Sequence, residues 1–494
     1  MKRLFLTLSA ALVLAQPMPL SAAEPTVCEA ETCYTADEAR AELETLYTMM
    51  RDAHFDMFAR VPEAEYRTRF EQLKAEIDGS VSKARLLTLL QQTLAIGNVG
   101  HARTMAPLLE VFGELQSGGS FFPLSVIVRD GEVLLDQWAD DTNRFPPGSA
   151  IIAMDGEPIG KWLARLRTHV SADNERLFHS QLEQLFPLLL KVEAEPKPSL
   201  QLEVRWPDGR VARGALLATD YGTYVTRRDA RPPVRPARDS NARIYRMLEE
   251  NIAYLQPGPF YNVPSDEGAT AGGYTVAPVE AFYTEAFDSF AKAGARELII
   301  DLRGNPGGDN SFSDPLVARF ADRDFAFAST FTLKASAATK ARHADNPATD
   351  ELGRRLRAGE AATPNGELYE VELPRVQPRT ENRFDGPVYV LIDRNSYSNA
   401  AVMAALVKDY GFGTIIGEET ADLPTTYGSV EKFTLPLTGA EIDYPKSFIV
   451  RPSGAISARG VVPDIELAPQ PLGVVEDRTL ENAAALVVSR REDG

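Results

Sequence analysis

Apolar positions along this chain follow two periods, and the switches between them divide it. Over residues 36–115 they recur at helical spacing. Leu43, Leu46, Tyr47 and Met50 share one face of a helix predicted over 39–53, and 66–77 and 83–96 repeat the pattern. Between 118 and 215 the runs are short and alternating or continuously apolar, and 121–128, 132–137, 150–154 and 200–206 predict strands. Residues 226–240, TRRDARPPVRPARDS, have no apolar period and predict a linker. Strand and helix patterns then alternate. Residues 252–256, 297–302 and 388–392 read as buried strands, 278–293 as a helix, and an Ala-rich helix places Val402, Leu406 and Tyr410 on one face. Shorter strands are expected at 414–417, 432–437 and 447–450. This order predicts an α/β core preceded by a helical subdomain and a small β-rich domain. The expected boundaries are 24–115 for the helices, 116–218 for the β-rich domain, 219–248 for the linker and 249–494 for the core, with a polar, partly helical insertion at 311–384.

Length and composition narrow the class. A chain of 494 residues is long enough for two or three domains with ample cores. Residues 1–23 have the form of a secretory signal: Lys2-Arg3, an apolar run over 4–15, then Ser21-Ala22-Ala23. That run is too short to span a bilayer, so an exported, periplasmic or secreted protein is expected. The formal charge of −18, more negative still without Lys2 and Arg3, argues against nucleic acid or an anionic membrane as partner. The only cysteines, Cys28 and Cys33, suit one small disulfide in an oxidising compartment. They could also be half of a metal site, but no nearby ligand completes it. His54, His169, His179 and His343 lack metal-ligand spacing, and no phosphate-binding loop is present. No metal and no cofactor are therefore expected.

Three separated segments carry candidate chemistry. In Asp385–Leu406, DGPVYVLIDRNSYSNAAVMAAL, a strand, a polar turn and a helix place Ser398 at a sheet's carboxyl edge and a helix amino terminus. A serine there is either a helix cap or a nucleophile. His101 follows Gly97-Asn98-Val99-Gly100, a tight turn that presents an imidazole able to act as a base near neutral pH. Gly307-Gly308, in a loop after a strand, offers backbone N–H groups free of side chains, and the Asn399 N–H would be a second oxyanion donor.

Leu298-Ile299-Ile300-Asp301-Leu302-Arg303-Gly304-Asn305-Pro306-Gly307-Gly308 closely resembles the strand-and-loop motif of the tail-specific, or C-terminal processing, serine peptidases. Ser396-Tyr397-Ser398-Asn399-Ala400-Ala401 is similar to the family's nucleophile turn and selects Ser398 over Ser396. Gly417-Glu418-Glu419-Thr420 and Gly460-Val461-Val462-Pro463-Asp464-Ile465 resemble two later motifs. Pro147 to Ile159 looks like part of a PDZ domain, which would dock peptides by adding a strand to a sheet edge. The resemblance implies a ClpP/crotonase-like spiral core. It also implies a Ser–His, tricorn-like mechanism, since the Thr-x-Gly-Lys-Gly lysine of the Ser–Lys branch is missing around Leu423, and Lys432 is a poor substitute. Such relatives carry a Glu shortly before the Gly-Val-x-Pro-Asp motif. Ser457 stands there in this chain and is the candidate orienting group, with Glu418, Glu419 and Asp422 as other acids within reach in sequence. The implied function is an exported serine peptidase cutting peptides or proteins near their C-termini. The alternative is a non-catalytic peptide- or lipophile-binding protein on the same fold.

Overall fold

A computed structural model describes residues 33–138, 145–194, 196–231, 233–344, 348 and 351–492. Residues 1–23, read as an export signal, and Cys28 lie outside it, while Cys33 is disulfide-bonded. The core is a six-stranded sheet in the order Ile244–Met247, Ile252–Gln256, Glu297–Asp301, Val388–Ile392, Thr414–Gly417, Ile465–Glu466. Its first pair is antiparallel and the rest parallel. Parallel strands are covered on both faces, which is why Val388–Ile392 is apolar throughout and every residue in it is buried. Each such Val, Leu or Ile contributes about 1.5–3 kcal/mol when fully buried. The helices Ala277–Ala293 and Asn399–Tyr410 pack their Phe, Val and Ala faces on one side of this sheet.

A second, four-stranded antiparallel sheet joins Leu368–Glu370, Thr330–Lys334, Glu441–Val450 and Thr426–Thr434. The separate short strands expected at 432–437 and 447–450 belong here to one long hairpin. Its polar residues interrupt the apolar pattern because one face lies against a charged cleft. The 311–384 stretch is therefore structural as well as polar, since it supplies two strands of this sheet and the helices Ala337–Ala344 and Glu351–Ala362.

The N-terminal helices Ala36–Ala53, Glu63–Ala75 and Lys83–Ala95 form where the apolar period predicts them. Thr35 and Glu38 make a capping box at the first. These helices share a core with Phe433, Leu435, Ile442 and Tyr444 of the long hairpin. That packing delivers the turn after Ala95 to the core, where Arg103 bridges to Asp443. Residues 124–217 form an antiparallel sheet of short strands together with the helices Ile159–Arg167 and Glu175–Glu193, where the sequence predicts only strands, and Ser120–Phe121 pairs separately with Thr219–Asp220. Beyond it, the stretch read as a linker begins with the helix Tyr221–Asp229, and Arg238 donates to the Arg303 carbonyl. No helix among the described residues is long and apolar enough to cross a membrane.

Candidate active site

The Val388–Ile392 strand ends at Asp393, and the turn that follows is held from within. Asp393 accepts from the Gly304 and Asn395 N–H groups, at 2.9 and 3.0 Å. Ser396 is fully buried and donates to the Leu302 carbonyl at 2.7 Å, a structural role that leaves Ser398, half-buried at the cleft, as the accessible hydroxyl of the pair. Ser398 has φ 54° and ψ −123° and makes no capping hydrogen bond with its side chain. A non-glycine residue there costs on the order of 1–3 kcal/mol and persists only when its surroundings hold it. They do so here through Asp422, fully buried, which accepts the Ser398 N–H at 2.6 Å and the Leu423 N–H at 2.9 Å. Burial, with the charge of Asp173 added, pushes the Asp422 carboxyl up to about 7 against those two hydrogen bonds.

The strained turn brings Ser398 Oγ within 3.2 Å of His101 Nε2, from a residue 297 positions earlier. The His101 turn has its own buried acid: the Gly100 N–H donates to Asp173 at 2.8 Å, and Arg60 pairs with the same carboxylate. A side chain at Gly100 would strike Leu177 and Asp173, at 2.7 and 2.9 Å, which accounts for glycine there. The imidazole stacks on Tyr397, with ring centroids 5.0 Å apart and planes 22° from parallel, and the Tyr397 hydroxyl donates to the Gly100 carbonyl. His101 Nδ1 has no hydrogen-bond partner among the described residues. Burial, assisted by the Arg103 charge, pulls the imidazole down to about 3, so it is neutral at physiological pH.

The glycine loop closes the site from a third side. Asn305 donates to the Gly258 carbonyl and accepts the Gly307 N–H at 2.8 Å, so the Gly307 donor predicted for an oxyanion is already engaged. Gly308, at φ 135°, runs beside Phe260, and among the described residues its N–H shows no partner; nor does that of Asn399 at the helix start. A Cβ on Gly307 would come within 2.7 Å of Asn399 N and Ser398 Cβ, which shows how closely the loop abuts the serine. The expectation for Ser457 is corrected. It is exposed and bonds only within its own turn, to Arg459. That segment is tied down by Arg459 to Glu419, and Glu418 is tied to Arg394, so neither acid approaches His101. Lys432 pairs with Glu441 on the hairpin surface.

Ser398, His101 and Gly308 open into a cleft of ≈ 710 Å³, also lined by Tyr261, Tyr274, Asp314, His343, Glu431 and Lys446. A hydroxyl beside a neutral imidazole, with the Gly308 and Asn399 N–H groups of nearby turns unpaired among the described residues, supplies the kinds of group that acyl transfer uses. Sequence reasoning missed Tyr397 as a ring platform and Asp173 as a clamp. Only the Tyr397 aromatic, adjacent to the serine, carried a local signal.

Residues 275–467 match the model of peptidase family S41. Comparison with curated protein sequences gave no significant match. Among solved structures, mature CPAF is similar at a TM-score of 0.59 and 15% identity, over 87% of this chain and 93% of that one. Mature CPAF complexed with lactacystin gives 0.60 at 15% identity, over 87% and 94%. At such identity the likeness establishes the shared fold. The strand-and-loop and serine-turn motifs lie within the matched stretch, and residues 275–467 form a peptidase family S41 domain, that of a serine-type peptidase.

Proposed function

We propose that this peptidase is exported and works through a Ser398–His101 pair, cutting peptide substrates near their C-termini. The observation that carries the reading is the 3.2 Å approach of His101 Nε2 to the Oγ of a serine held at positive φ. In the proposed reaction Ser398 Oγ attacks the peptide carbonyl carbon while His101 Nε2 takes its proton. The oxyanion is held by the N–H groups of Gly308 and Asn399, with Gly307 as the close wall. His101 then protonates the leaving amine, and water, activated by the same nitrogen, releases the acyl group. In place of an acid on Nδ1, the Tyr397 ring lies against the imidazole and stabilises its charge as it forms. Asp422 is the positioning residue that holds the serine's backbone.

A fluorophosphonate probe and quenched peptides, each made as free acid and as C-terminal amide, test this. Wild type is expected to label, Ser398→Ala is not, and free acids are expected to turn over faster than amides. A folded wild type that stays unlabelled would overturn the role of Ser398, and equal rates on acids and amides would remove the tail preference.

The neutral, buried imidazole makes a pH prediction. The base form exists above the depressed His101 value of about 3 and is lost only as pH falls towards it. Peptidase kcat/KM is therefore expected to hold as pH drops through 6.5, the ordinary imidazole value, and to fail at more acid pH. A half-maximal point between 6 and 7 that vanishes in Asp422→Asn would instead assign the titration to Asp422. Export is supported by the 1–23 signal pattern and the disulfide at Cys33. Mass spectrometry of the secreted or periplasmic protein is expected to show a chain beginning after Ala23, and an uncleaved cytosolic product would contradict it.

A further inference from the structure

Among the described residues, a buried acid in the cleft, Asp314, has no counter-charge. Asp314 lies in the first turns of the helix Asn310–Val317 that follows Gly308, lines the cleft beside Ser398, and is 8% exposed. Its Oδ2 accepts from Asn310 Nδ2 at 2.9 Å, while Oδ1 has no hydrogen-bond partner among the described residues. Burying a carboxylate without a cation is costly, and it is uncommon unless something arrives to pair with it.

The cations lining the same cleft are already engaged. Lys446 pairs with Glu431 at 2.6 Å, and His343 lies between Glu360 and Glu431 at 2.7 and 3.1 Å. Arg357 donates to the His343 carbonyl, and Arg103 faces Asp443. Asp309, exposed at the helix start, adds negative charge at Asp314. Burial and, secondarily, that charge push the Asp314 carboxyl up to about 7 despite the Asn310 hydrogen bond, as expected where a compensating cation is missing.

The position relative to the chemistry is set by the neighbouring residue. Asn399 Nδ2 donates to Ser313 Oγ at 2.9 Å, so the turn carrying Asp314 abuts the residue whose N–H faces the oxyanion. Tyr261, Tyr274, Leu352 and Leu356 line the approach and suit the methylene stem of a long side chain with a charged tip.

We propose that Asp314 is a specificity residue of the cleft, pairing with the ammonium or guanidinium of a lysine or arginine that supplies the scissile carbonyl. This rests on the Ser398–His101 reading for which bond is cut, but the subsite itself can be read without turnover.

The experiment uses two quenched peptides that differ only in lysine or norleucine at the residue donating the scissile carbonyl. The full-length protein and its Asp314→Asn variant, which keeps the side chain's shape, are compared. Wild type is expected to favour lysine by about tenfold in kcat/KM, the scale of one charge-assisted hydrogen bond, and Asp314→Asn to lose that preference while labelling equally with fluorophosphonate. Binding of the same peptides to Ser398→Ala and to Ser398→Ala/Asp314→Asn, by fluorescence polarisation, gives the second readout. A lysine preference present in the first and absent in the second supports the subsite even if no peptide is turned over, which would count against the catalytic reading alone. Equal handling of lysine and norleucine by wild type, or a lysine preference that survives Asp314→Asn, overturns the proposal.

Discussion

Ser398→Ala is expected to lower kcat on a peptide substrate by about 10⁴–10⁶, His101→Ala by a similar factor, and the double variant by no more than either alone. In the proposed reaction the two side chains act as one unit. Without the hydroxyl there is nothing for the imidazole to deprotonate, and without the imidazole the hydroxyl stays a weak nucleophile at its ordinary pKa. Residual hydrolysis in all three variants would come from the oxyanion donors and from substrate binding, which remain. The measurement is steady-state turnover with thermal melting as a control, because both side chains sit in a shared interface between the N-terminal helices and the core. Multiplicative losses, with the double variant far below either single one, would show that the two residues act separately and would break the proposed pair.

Gly307→Ala is expected to cost about 10²–10³ in kcat, the range associated with loss of one oxyanion donor, with a smaller change in KM. The reason is steric and local. At φ +82° an added Cβ is both strained and placed 2.6 Å from the Tyr397 carbonyl, 2.7 Å from Asn399 N and 2.7 Å from Ser398 Cβ. None of these is the tip of a flexible side chain, so the loop must retreat from the serine turn. It takes the Gly308 N–H with it. The Gly307 N–H itself is not what is lost, since Asn305 already occupies it. A kinetic profile in which Gly307→Ala raises KM alone would move the role of this loop from the transition state to ground-state binding.

Several parts of this picture were legible before any tertiary structure. The continuous apolar run Val388–Ile392 could only be a strand covered on both faces, and the polar turn and Ala-rich helix after it are local consequences of composition. Glycines 97 and 100 around His101 marked a turn for the same reason. Other features had no local signature. Asp422 is in sequence one of three acids following the Gly417 motif, and Asp173 lies in a stretch where sequence predicts only strands. Each matters because a backbone N–H from a distant segment, Ser398 in one case and Gly100 in the other, ends where its carboxylate is buried. Ser457 shows the opposite failure: its place in a familiar motif suggested a role, but its turn points to solvent and its hydroxyl bonds to its own chain neighbour. The long hairpin Thr426–Thr434 with Glu441–Val450 was read as fragments because Glu431, Lys432 and Asp443 break the apolar alternation.

By itself, then, the sequence determined the N-terminal helices, the buried core strands and three residue types suited to acyl transfer, because periodicity and turn chemistry are properties of neighbouring residues. Tertiary structure alone decided which groups meet. It set His101 against Ser398 across 297 positions, engaged Gly307 while leaving Gly308 free, and left Asp314 buried without a cation. Those outcomes depend on how separate elements pack and on which buried polar atoms find partners, and neither is encoded within any single stretch of the chain.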